Sequence, residues 1–442
     1  MEALLIQPQD VKKTLARHIL TEGFDFILDL DRSEGSWLVD QRNGDRYLDF
    51  FSMYASMAIG YNHPGLLAVQ NELGRLAINK PSNSDIYTQA MAEFVNTFSR
   101  TGIPDYLPHV FFVEGGTLAV ENALKAAFDW KTKKNRKNGN AGVLADQIIH
   151  FRQAFHGRSG YSLSMTNTFD ARKTRYFPRF GWPQINNPKI TFPLNNRNLE
   201  NVQKLEEEAL RKIEEVVDRK GPEIAAIIIE PIQGEGGDNH FRKEFLQSLR
   251  RICSAFDILF ILDEVQTGVG LTGKFWAHQH FDVQPDILSF GKKIQVCGIL
   301  ASSRLDEIEN NVFNEKSRIS STFGGGLIDM VRSHYILQII EEENLVENAQ
   351  IQGNVLLSGI RELATEFPDI VSNPRGRGLM CAFDAPDDKI RDRIIRALLD
   401  EKLLIVGCGI KGIRFRPHLI VRKEEIHQGL DIIRHVLKHH LF

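Results

Sequence analysis

Residues 258–273 read ILFILDEVQTGVGLTG, and residues 285–293 read PDILSFGKK. The run 258–262 is short and continuously apolar, which predicts a strand buried on both faces of a parallel sheet. Asp263 follows this strand directly, and Lys292 follows a second strand-like run, residues 286–290. Open α/β sheets bind their ligands at the carboxyl ends of strands, so we expect the acid and the lysine to face one crevice.

An acid and a lysine in one crevice suit pyridoxal 5'-phosphate (PLP) chemistry, in which a lysine forms an imine and an acid partners the pyridinium nitrogen. The whole stretch resembles the signature of the class-III (ω-amino acid) aminotransferases, a family of fold-type I PLP enzymes. The resemblance implies an α/β fold with a mostly parallel central sheet flanked by helices in a large domain, plus a smaller α/β domain. It also implies that Lys292 is the Schiff-base lysine, that Asp263 is the pyridinium partner and that Gln266 lies beside the ring oxygen.

Two positions narrow the resemblance within the family. Leu271 stands where many members carry Arg, and Lys293 stands where Gly is usual. This form, followed by IQVCG, is similar to the L-lysine 6-aminotransferase branch, which implies L-lysine and 2-oxoglutarate as substrates. Other ω-aminotransferases, acting on ornithine, acetylornithine or 4-aminobutyrate, remain alternatives. A PLP-dependent aminomutase or racemase, and a non-catalytic binding protein, are further alternatives.

A phosphate cradle is predicted around residue 116. A brief apolar strand, residues 110–113, leads into Glu114-Gly115-Gly116-Thr117, and helical periodicity follows. Small residues let backbone N–H groups approach an anion, and a helix N-terminus favours negative charge. We expect Gly116 and Thr117 to donate to the cofactor phosphate, although a simple βα turn would have the same pattern. The family usually has a Ser-Gly-Thr-Glu type sequence here, so one hydroxyl is missing.

The segment SSTFGGG, residues 320–326, precedes a long helical pattern. The resemblance implies that Thr322 reaches the phosphate of the neighbouring subunit, so that a homodimer forms active sites at its interface. Gly326 departs from the Asn that is common in the family. A helix cap is the alternative for this run, and the two roles are compatible.

An aromatic motif, FRQAFHGRSG, occupies residues 151–160. By resemblance Phe155 stacks on the cofactor ring, and Arg158 holds the α-carboxylate of lysine with a bidentate guanidinium. Without that resemblance, an arginine at this position is more often a surface or structural ion-pair partner. His156 is expected to orient or pack rather than to act as an acid or base.

Two charged residues are implied to switch the site between its two substrates. The apolar run 224–229 ends in EPIQGEG, which contains Glu235, and Arg414 lies in IRFRPHL. The resemblance implies that Glu235 masks Arg414 while lysine reacts and releases it for a dicarboxylate. Two acids near a strand end could also bind a metal, but no ligand pattern completes such a site, and we expect none.

Composition limits the class of protein. The chain has 442 residues, 42% of them hydrophobic and 25% charged, with a formal net charge of −3. This balance fits a globular chain, and it provides no overall positive field for nucleic acid. The basic run 131–140 lacks interleaved aromatics and is read as a solvated helix end. A dinucleotide fingerprint at residues 268–273 is disfavoured, because five residues separate it from its strand and bulky residues follow it.

The sequence also indicates where the protein is located and how its domains are arranged. No apolar run approaches the roughly 20 residues of a membrane helix, and residues 1–19 contain no signal-peptide core. Four scattered cysteines suit buried free thiols in a reducing cytoplasm. We predict an N-terminal segment (1–60) that joins the small domain and the substrate entrance, a large PLP-binding domain (61–345) and a C-terminal small domain (346–442).

Overall fold

The computed structural model describes residues 6–440 of the chain. Residues 1–5 and 441–442 lie outside the described part, and with them the start of the N-terminal stretch and the last two residues of the predicted C-terminal domain. The α-helices are Val11–Leu15, Pro64–Leu67, Gln70–Ala77, Gln89–Thr101, Gly116–Lys137, Gly160–Met165, Asn196–Lys220, Lys243–Ala255, Leu327–Glu342, Leu345–Glu366, Asp388–Asp400 and Lys423–His439. Within residues 6–440, no helix is long and apolar enough to cross a membrane.

The strands are numbered in chain order. They are β1 (Trp37–Val39), β2 (Arg46–Asp49), β3 (His109–Val113), β4 (Gln147–Phe151), β5 (Gln184–Ile185), β6 (Ile224–Ile229), β7 (Ile232–Gln233), β8 (Asn239–His240), β9 (Leu259–Asp263), β10 (Ile287–Phe290), β11 (Cys297–Ala301), β12 (Ser372–Arg377), β13 (Met380–Asp384), β14 (Leu403–Leu404), β15 (Val406–Cys408) and β16 (Gly412–Phe415).

A seven-stranded sheet forms the centre of the molecule, in the order β3-β11-β10-β9-β6-β4-β5. Strands β10, β9, β6, β4 and β5 pair in parallel, and β11 runs antiparallel between β10 and β3. Parallel strands need crossover connections, and helices such as Gly116–Lys137 and Asn196–Lys220 provide them. The mostly parallel sheet therefore brings the carboxyl ends of β9 and β10 to one edge.

The central strands are buried on both faces, as their continuous apolar runs predict. In β9, Leu259 and Ile261 pack in one core cluster, which includes Trp130, whereas Phe260 and Leu262 pack in another, which includes Phe245. Alternate side chains of a strand point to opposite faces, so one short apolar run contributes to both cores. A helix covers each face and excludes water from the sheet.

Two smaller sheets contain the C-terminal strands. One has the order β12-β13-β16-β15, and the other joins β1 and β2 of the N-terminal segment to β14. The pairing of β14 with β2 is parallel, with Leu403 opposite Leu48. We propose on this basis that the predicted segment 1–60 belongs with the C-terminal domain.

A left-handed turn follows β2 at residues 52–55. The φ angles of its four residues lie between +40° and +65°. Left-handed backbone costs about 1–2 kcal/mol for each L-residue, so the surrounding packing must hold this turn in place. The turn brings the ring of Tyr54 beneath the guanidinium of Arg414, 5.5 Å from it.

Most of the predicted elements occur, with altered ends. The helix predicted to begin near residue 118 begins at Gly116 and continues to Lys137. Between β4 and the helix Asn196–Lys220, the chain forms the helix Gly160–Met165 and the strand Gln184–Ile185. All four cysteines are buried with free thiols.

Candidate active site

A cavity of about 270 Å³ opens at the carboxyl edge of the large sheet, just below the roughly 300–1,000 Å³ range of small-molecule sites. It combines charged, apolar and glycine walls. Its lining residues are Gly116, Thr117, Phe155, His156, Gly157, Glu230, Glu235, Asp263, Val265, Gln266, Lys292 and Cys297.

Asp263 and Lys292 reach this cavity from neighbouring strands. Asp263 is the last residue of β9 and pairs in register with Ser289 of β10, three residues before Lys292. Lys292 has a φ of +54°, so the chain turns sharply after β10. Burial, followed by the charges of Arg414 and Arg416, lowers the pKa of Lys292 to about 8. At pH 7 roughly a tenth of this amine is therefore unprotonated, far more than for an ordinary lysine.

His156 supports the carboxylate of Asp263. Its Nδ1 lies 2.8 Å from Oδ2 of Asp263, and the backbone N–H of Val265 donates to Oδ1 at 3.1 Å. Burial alone would lower the pKa of His156, but the hydrogen bond and charge of Asp263, with the charge of Glu230, raise it overall. A histidine that donates here fixes the direction of the carboxylate.

Glu230 holds the loop that contains Phe155 in place. Its Oε1 accepts from the backbone N–H of Phe155 at 2.9 Å, and its Oε2 accepts from that of Gly234 at 3.1 Å. Burial raises the pKa of Glu230 to about 7. Glu230 directly follows the apolar run 224–229, but no local sequence pattern reveals from which distant N–H groups an acid will accept.

The start of helix Gly116–Lys137 faces the cavity with its glycines. Gly115 has a φ of +98°, and a Cβ on Gly116 would lie 2.8 Å from Cγ1 of Val265. A Cβ on Gly157 would meet Oγ1 of Thr117 at 2.5 Å. The loop within residues 151–160 that contains Phe155, called the aromatic loop below, therefore packs closely on the start of the helix. Free N–H groups at the first turn of a 22-residue helix can receive an anion such as a phosphate.

Glu235 lies between two cations at the rim of the cavity. Its Oε2 is 3.3 Å from Nη2 of Arg414, and its Oε1 is 2.5 Å from Nζ of Lys173. Arg414 is 3% exposed, and its Nε has no hydrogen-bond partner among residues 6–440. Arg414 and Glu235 are therefore in contact, and Glu235 shares its carboxylate with Lys173, which no sequence motif marks.

A second buried ion pair holds the adjoining loop. Arg416 donates to both carboxylate oxygens of Asp238 and also to Oε1 of Gln266, at 3.0 and 3.2 Å. The backbone N–H of Gly409 donates to the carbonyl of Glu235 at 2.8 Å. These contacts join the loop after β7 to the C-terminal sheet and fix the amide of Gln266. We refer to Asp238 and Arg416 below as the loop clamp.

Two of the sequence-predicted residues lie away from the cavity of this single chain. Arg158 is exposed, and it forms no ion pair with residues in the described range 6–440. Thr322 is exposed as well, and its carbonyl accepts a hydrogen bond from the hydroxyl of Ser82 at 2.5 Å. The other predicted site residues line the cavity or, in the case of Arg414, contact a residue that does.

Potential metal ligands do not gather at this site within the described chain. The group of such side chains that residues 6–440 bring together is Glu401, His435 and His440, near the C-terminal end of the chain. The cavity therefore offers an amine, acids and backbone donors rather than a cluster of metal ligands.

Residues 21–437 match the family model described as aminotransferase class-III. The chain belongs to the class-III aminotransferases. An L-lysine-epsilon aminotransferase from Mycobacterium tuberculosis is 50% identical over 433 residues, which cover 97% of this chain and 96% of the relative. A human mitochondrial 4-aminobutyrate aminotransferase is 33% identical over 455 residues, covering 97% and 88%.

A solved structure agrees with these sequence relationships. The lysine aminotransferase from M. tuberculosis superposes with a TM-score of 0.95 at 49% identity, covering 98% of this chain and 99% of that one. Class-III membership confirms the predicted fold-type I α/β architecture and the PLP-dependent transaminase class.

The residues present at the cavity fit that cofactor. Asp263 offers a buried carboxylate braced by His156, and Lys292 offers an amine of lowered pKa. Gly116 lines the cavity at the helix start, and the absence of a Cβ there lets Val265 pack closely against it. An acid, an amine and an anion-binding helix end thus surround one small cavity.

Proposed function

We propose that this enzyme transfers the ε-amino group of L-lysine to 2-oxoglutarate, giving 2-aminoadipate 6-semialdehyde and L-glutamate. Two relatives support lysine over the alternatives: the lysine enzyme is 50% identical, and the 4-aminobutyrate enzyme is 33% identical. The observation that carries the proposal is the contact between Arg414 and Glu235 at the rim of the cavity.

The contact between Arg414 and Glu235 would allow one site to accept two amino donors of different charge. Lysine reacts at its far end, where the reacting carbon has no carboxylate beside it, whereas glutamate reacts beside a carboxylate. A free arginine next to the reacting carbon would help glutamate and repel the cationic lysine. Glu235 masks Arg414 while lysine is bound, and Arg414 leaves it for the carboxylate of a dicarboxylate. The 3.3 Å separation and the unpartnered Nε of Arg414 suit a contact that can be exchanged.

Arg158 is proposed to bind the carboxylate at the other end of the substrate. It follows Gly157, which lines the cavity, and its guanidinium is exposed and free of ion pairs with residues 6–440. A guanidinium binds a carboxylate through two parallel hydrogen bonds. Such a group would hold the α-carboxylate of lysine and the distal carboxylate of glutamate at the same point.

When bound, PLP supplies an electron sink for the carbon that loses its proton. Lys292 would hold the cofactor covalently, and as a free amine its Nζ would move a proton to and from that carbon. Asp263 would hold the proton on the pyridine nitrogen, with His156 fixing the carboxylate. Phe155 and Gln266 would border the ring, and the N–H groups of Gly116 and Thr117 would bind the phosphate.

Assembly and location complete the proposal. Thr322 would serve the phosphate of the neighbouring subunit in a homodimer, which suits its exposure in a single chain. The large domain would span residues 61–345, with the small domain formed by 346–442 and the N-terminal segment. The buried free thiols suit a reducing cytoplasm. Sedimentation of a monomer at working enzyme concentration would contradict the shared active site.

Half-reactions of the purified holoenzyme test the function. L-lysine is expected to convert the cofactor faster than ornithine, acetylornithine or 4-aminobutyrate, and steady turnover is expected to require 2-oxoglutarate. Faster conversion by another donor would assign the enzyme to that substrate, and turnover without 2-oxoglutarate would indicate an aminomutase. Glu235→Ala is expected to keep the glutamate half-reaction and to lose the preference for lysine. An unchanged preference would contradict the exchange of Arg414.

A further inference from the structure

Lys173 lies where the exchange of Arg414 takes place. It ends the short 3₁₀ turn Ala171–Lys173, in the segment between the aromatic loop and β5. Its Nζ is 2.5 Å from Oε1 of Glu235, a shorter contact than the 3.3 Å between Arg414 and Oε2 of the same carboxylate. Its side chain is 28% exposed, and that of Glu235 is 18% exposed. The carboxylate therefore has two cationic partners, of which the lysine is the nearer.

This arrangement changes the energetics of releasing Arg414. If Glu235 had Arg414 as its partner and no lysine, the departure of the arginine would leave a largely buried carboxylate uncompensated. Uncompensated buried charge is strongly destabilising. With Lys173 in place, the carboxylate remains paired after Arg414 has turned away. Sharing one carboxylate between two cations also weakens the hold on each of them.

We propose that Lys173 is a specificity-determining residue that keeps Glu235 neutralised when Arg414 turns to a substrate dicarboxylate. The proposal rests on the exchange of Arg414 described above. In this role Lys173 favours the half-reactions of L-glutamate and 2-oxoglutarate, which need Arg414 free. It has no such effect on L-lysine, which reacts while Arg414 is masked. Lys173 thus balances the two halves of the catalytic cycle without contacting either substrate.

The test compares single-turnover half-reactions of the holoenzyme with L-glutamate and L-lysine. Lys173→Met is expected to raise the glutamate concentration for half-maximal rate by roughly 3- to 10-fold, since a partly exposed ion pair is modest in strength. The limiting rate with glutamate and both parameters for lysine are expected to stay within about twofold. Lys173→Arg is expected to restore the parent values. A merely structural role would instead impair both donors together.

A matched control removes a positive charge from the adjacent position. Arg172 pairs with Asp170 and its side chain is 79% exposed, so Arg172→Met changes the local net charge without removing a partner of Glu235. This variant is expected to leave both half-reactions unchanged. An equal effect of Arg172→Met and Lys173→Met would reduce the role of Lys173 to long-range charge and overturn the proposal.

A double variant separates failure of this proposal from failure of the proposed function. In a Glu235→Ala background, Lys173→Met is expected to have no further effect, because the two residues act through one contact. A persisting effect there would mean that Lys173 binds substrate directly, which overturns the proposal. If Glu235→Ala shifts donor preference but Lys173→Met does not, the exchange of Arg414 stands and the role of Lys173 falls. If Glu235→Ala leaves donor preference unchanged, both are overturned.

Discussion

The Nδ1 atom of His156 lies 2.8 Å from Oδ2 of Asp263, and the two side chains are 0% and 5% exposed. The residues come from different parts of the chain: His156 follows β4, and Asp263 ends β9. Because water is excluded from this contact, the histidine stabilises the carboxylate more strongly than a solvated partner would. The pair therefore presents the carboxylate of Asp263 to the cavity in a fixed direction.

Asp263→Asn removes that charge while keeping the shape of the side chain. We expect the rate of the lysine half-reaction to fall by about 10²–10³-fold or more, since a preorganised charge at the reacting centre is lost. Stopped-flow absorbance of the cofactor would measure the rate, and the bound cofactor would be quantified separately. His156→Asn keeps a neutral hydrogen-bond donor beside Asp263, and we expect it to lower the rate by less than about tenfold. If Asp263→Asn kept a rate of the lysine half-reaction within tenfold of the parent, the proposed role of Asp263 would be contradicted.

The pH dependence of cofactor uptake reports on Lys292. Its pKa is about 8 because of burial and then the charges of Arg414 and Arg416, against an ordinary value of 10.5. The reactive neutral amine therefore increases as the pH rises through about 8. We expect the rate at which apoenzyme takes up PLP to follow that rise and then to level off.

Removing one of the charges that lower the pKa of Lys292 should shift the pH dependence of PLP uptake. Arg414→Met is expected to raise the pKa of Lys292 and shift the midpoint to higher pH. Arg211→Met, at a surface position on helix Asn196–Lys220, serves as the control and is expected to leave the midpoint unchanged. Comparing the two variants cancels the titration of the cofactor itself. A midpoint near that of an ordinary lysine in the parent enzyme would refute the prediction.

Lys293 is a buried amine that makes the folded state depend on pH. It is 2% exposed, and its Nζ donates to the carbonyl of Gln266 at 3.0 Å. Burial, followed by the charge of Lys292, lowers the pKa of Lys293 well below its ordinary value of 10.5. Between the two pKa values the unfolded chain binds a proton that the folded chain does not, so stability rises with pH there.

Lys293→Met removes this dependence. Relative to the variant, the parent is expected to gain stability as the pH rises toward 10.5, by up to about 1.4 kcal/mol for each pH unit in which only the unfolded chain is protonated. The stability of the variant relative to the parent should therefore decrease as the pH rises. Thermal unfolding midpoints of the two proteins would measure the difference. Lys212→Met, at an exposed site, should show no such trend, and a constant difference for Lys293→Met would contradict a neutral buried lysine.

The sequence predicts the parts of the fold that have a local signal. The apolar runs at β6 and β9 identify strands buried on both faces, and the glycines before helix Gly116–Lys137 mark a strand-to-helix turn. Strand β12, SNPRGR, has no such signal, because its residues are polar and largely half-buried. Strand β14 has two residues and exists through its pairing with β2, far away in sequence.

The residues of the candidate site also differ in whether a local sequence signal predicts them. Motif positions such as Asp263 and Lys292 could be found because a strand end and a reactive side chain are adjacent in sequence. The partners of those residues could not, since they depend on contacts between distant segments. His156 and Asp263 are 107 positions apart, and Lys173 and Glu235 are 62 apart. A single sequence does not reveal which acids and cations will meet after folding.

The loop clamp has a consequence for the speed of the enzyme. Asp238 and Arg416, together with the bond from Gly409 to the carbonyl of Glu235, anchor the main chain of Glu235 to the sheet that carries Arg414. The two main-chain segments are thus fixed relative to each other. Alternation between the amino donors then requires rotation about a few side-chain bonds rather than slow hinge bending of whole lobes. Substrate selection would keep pace with the chemistry in every turnover.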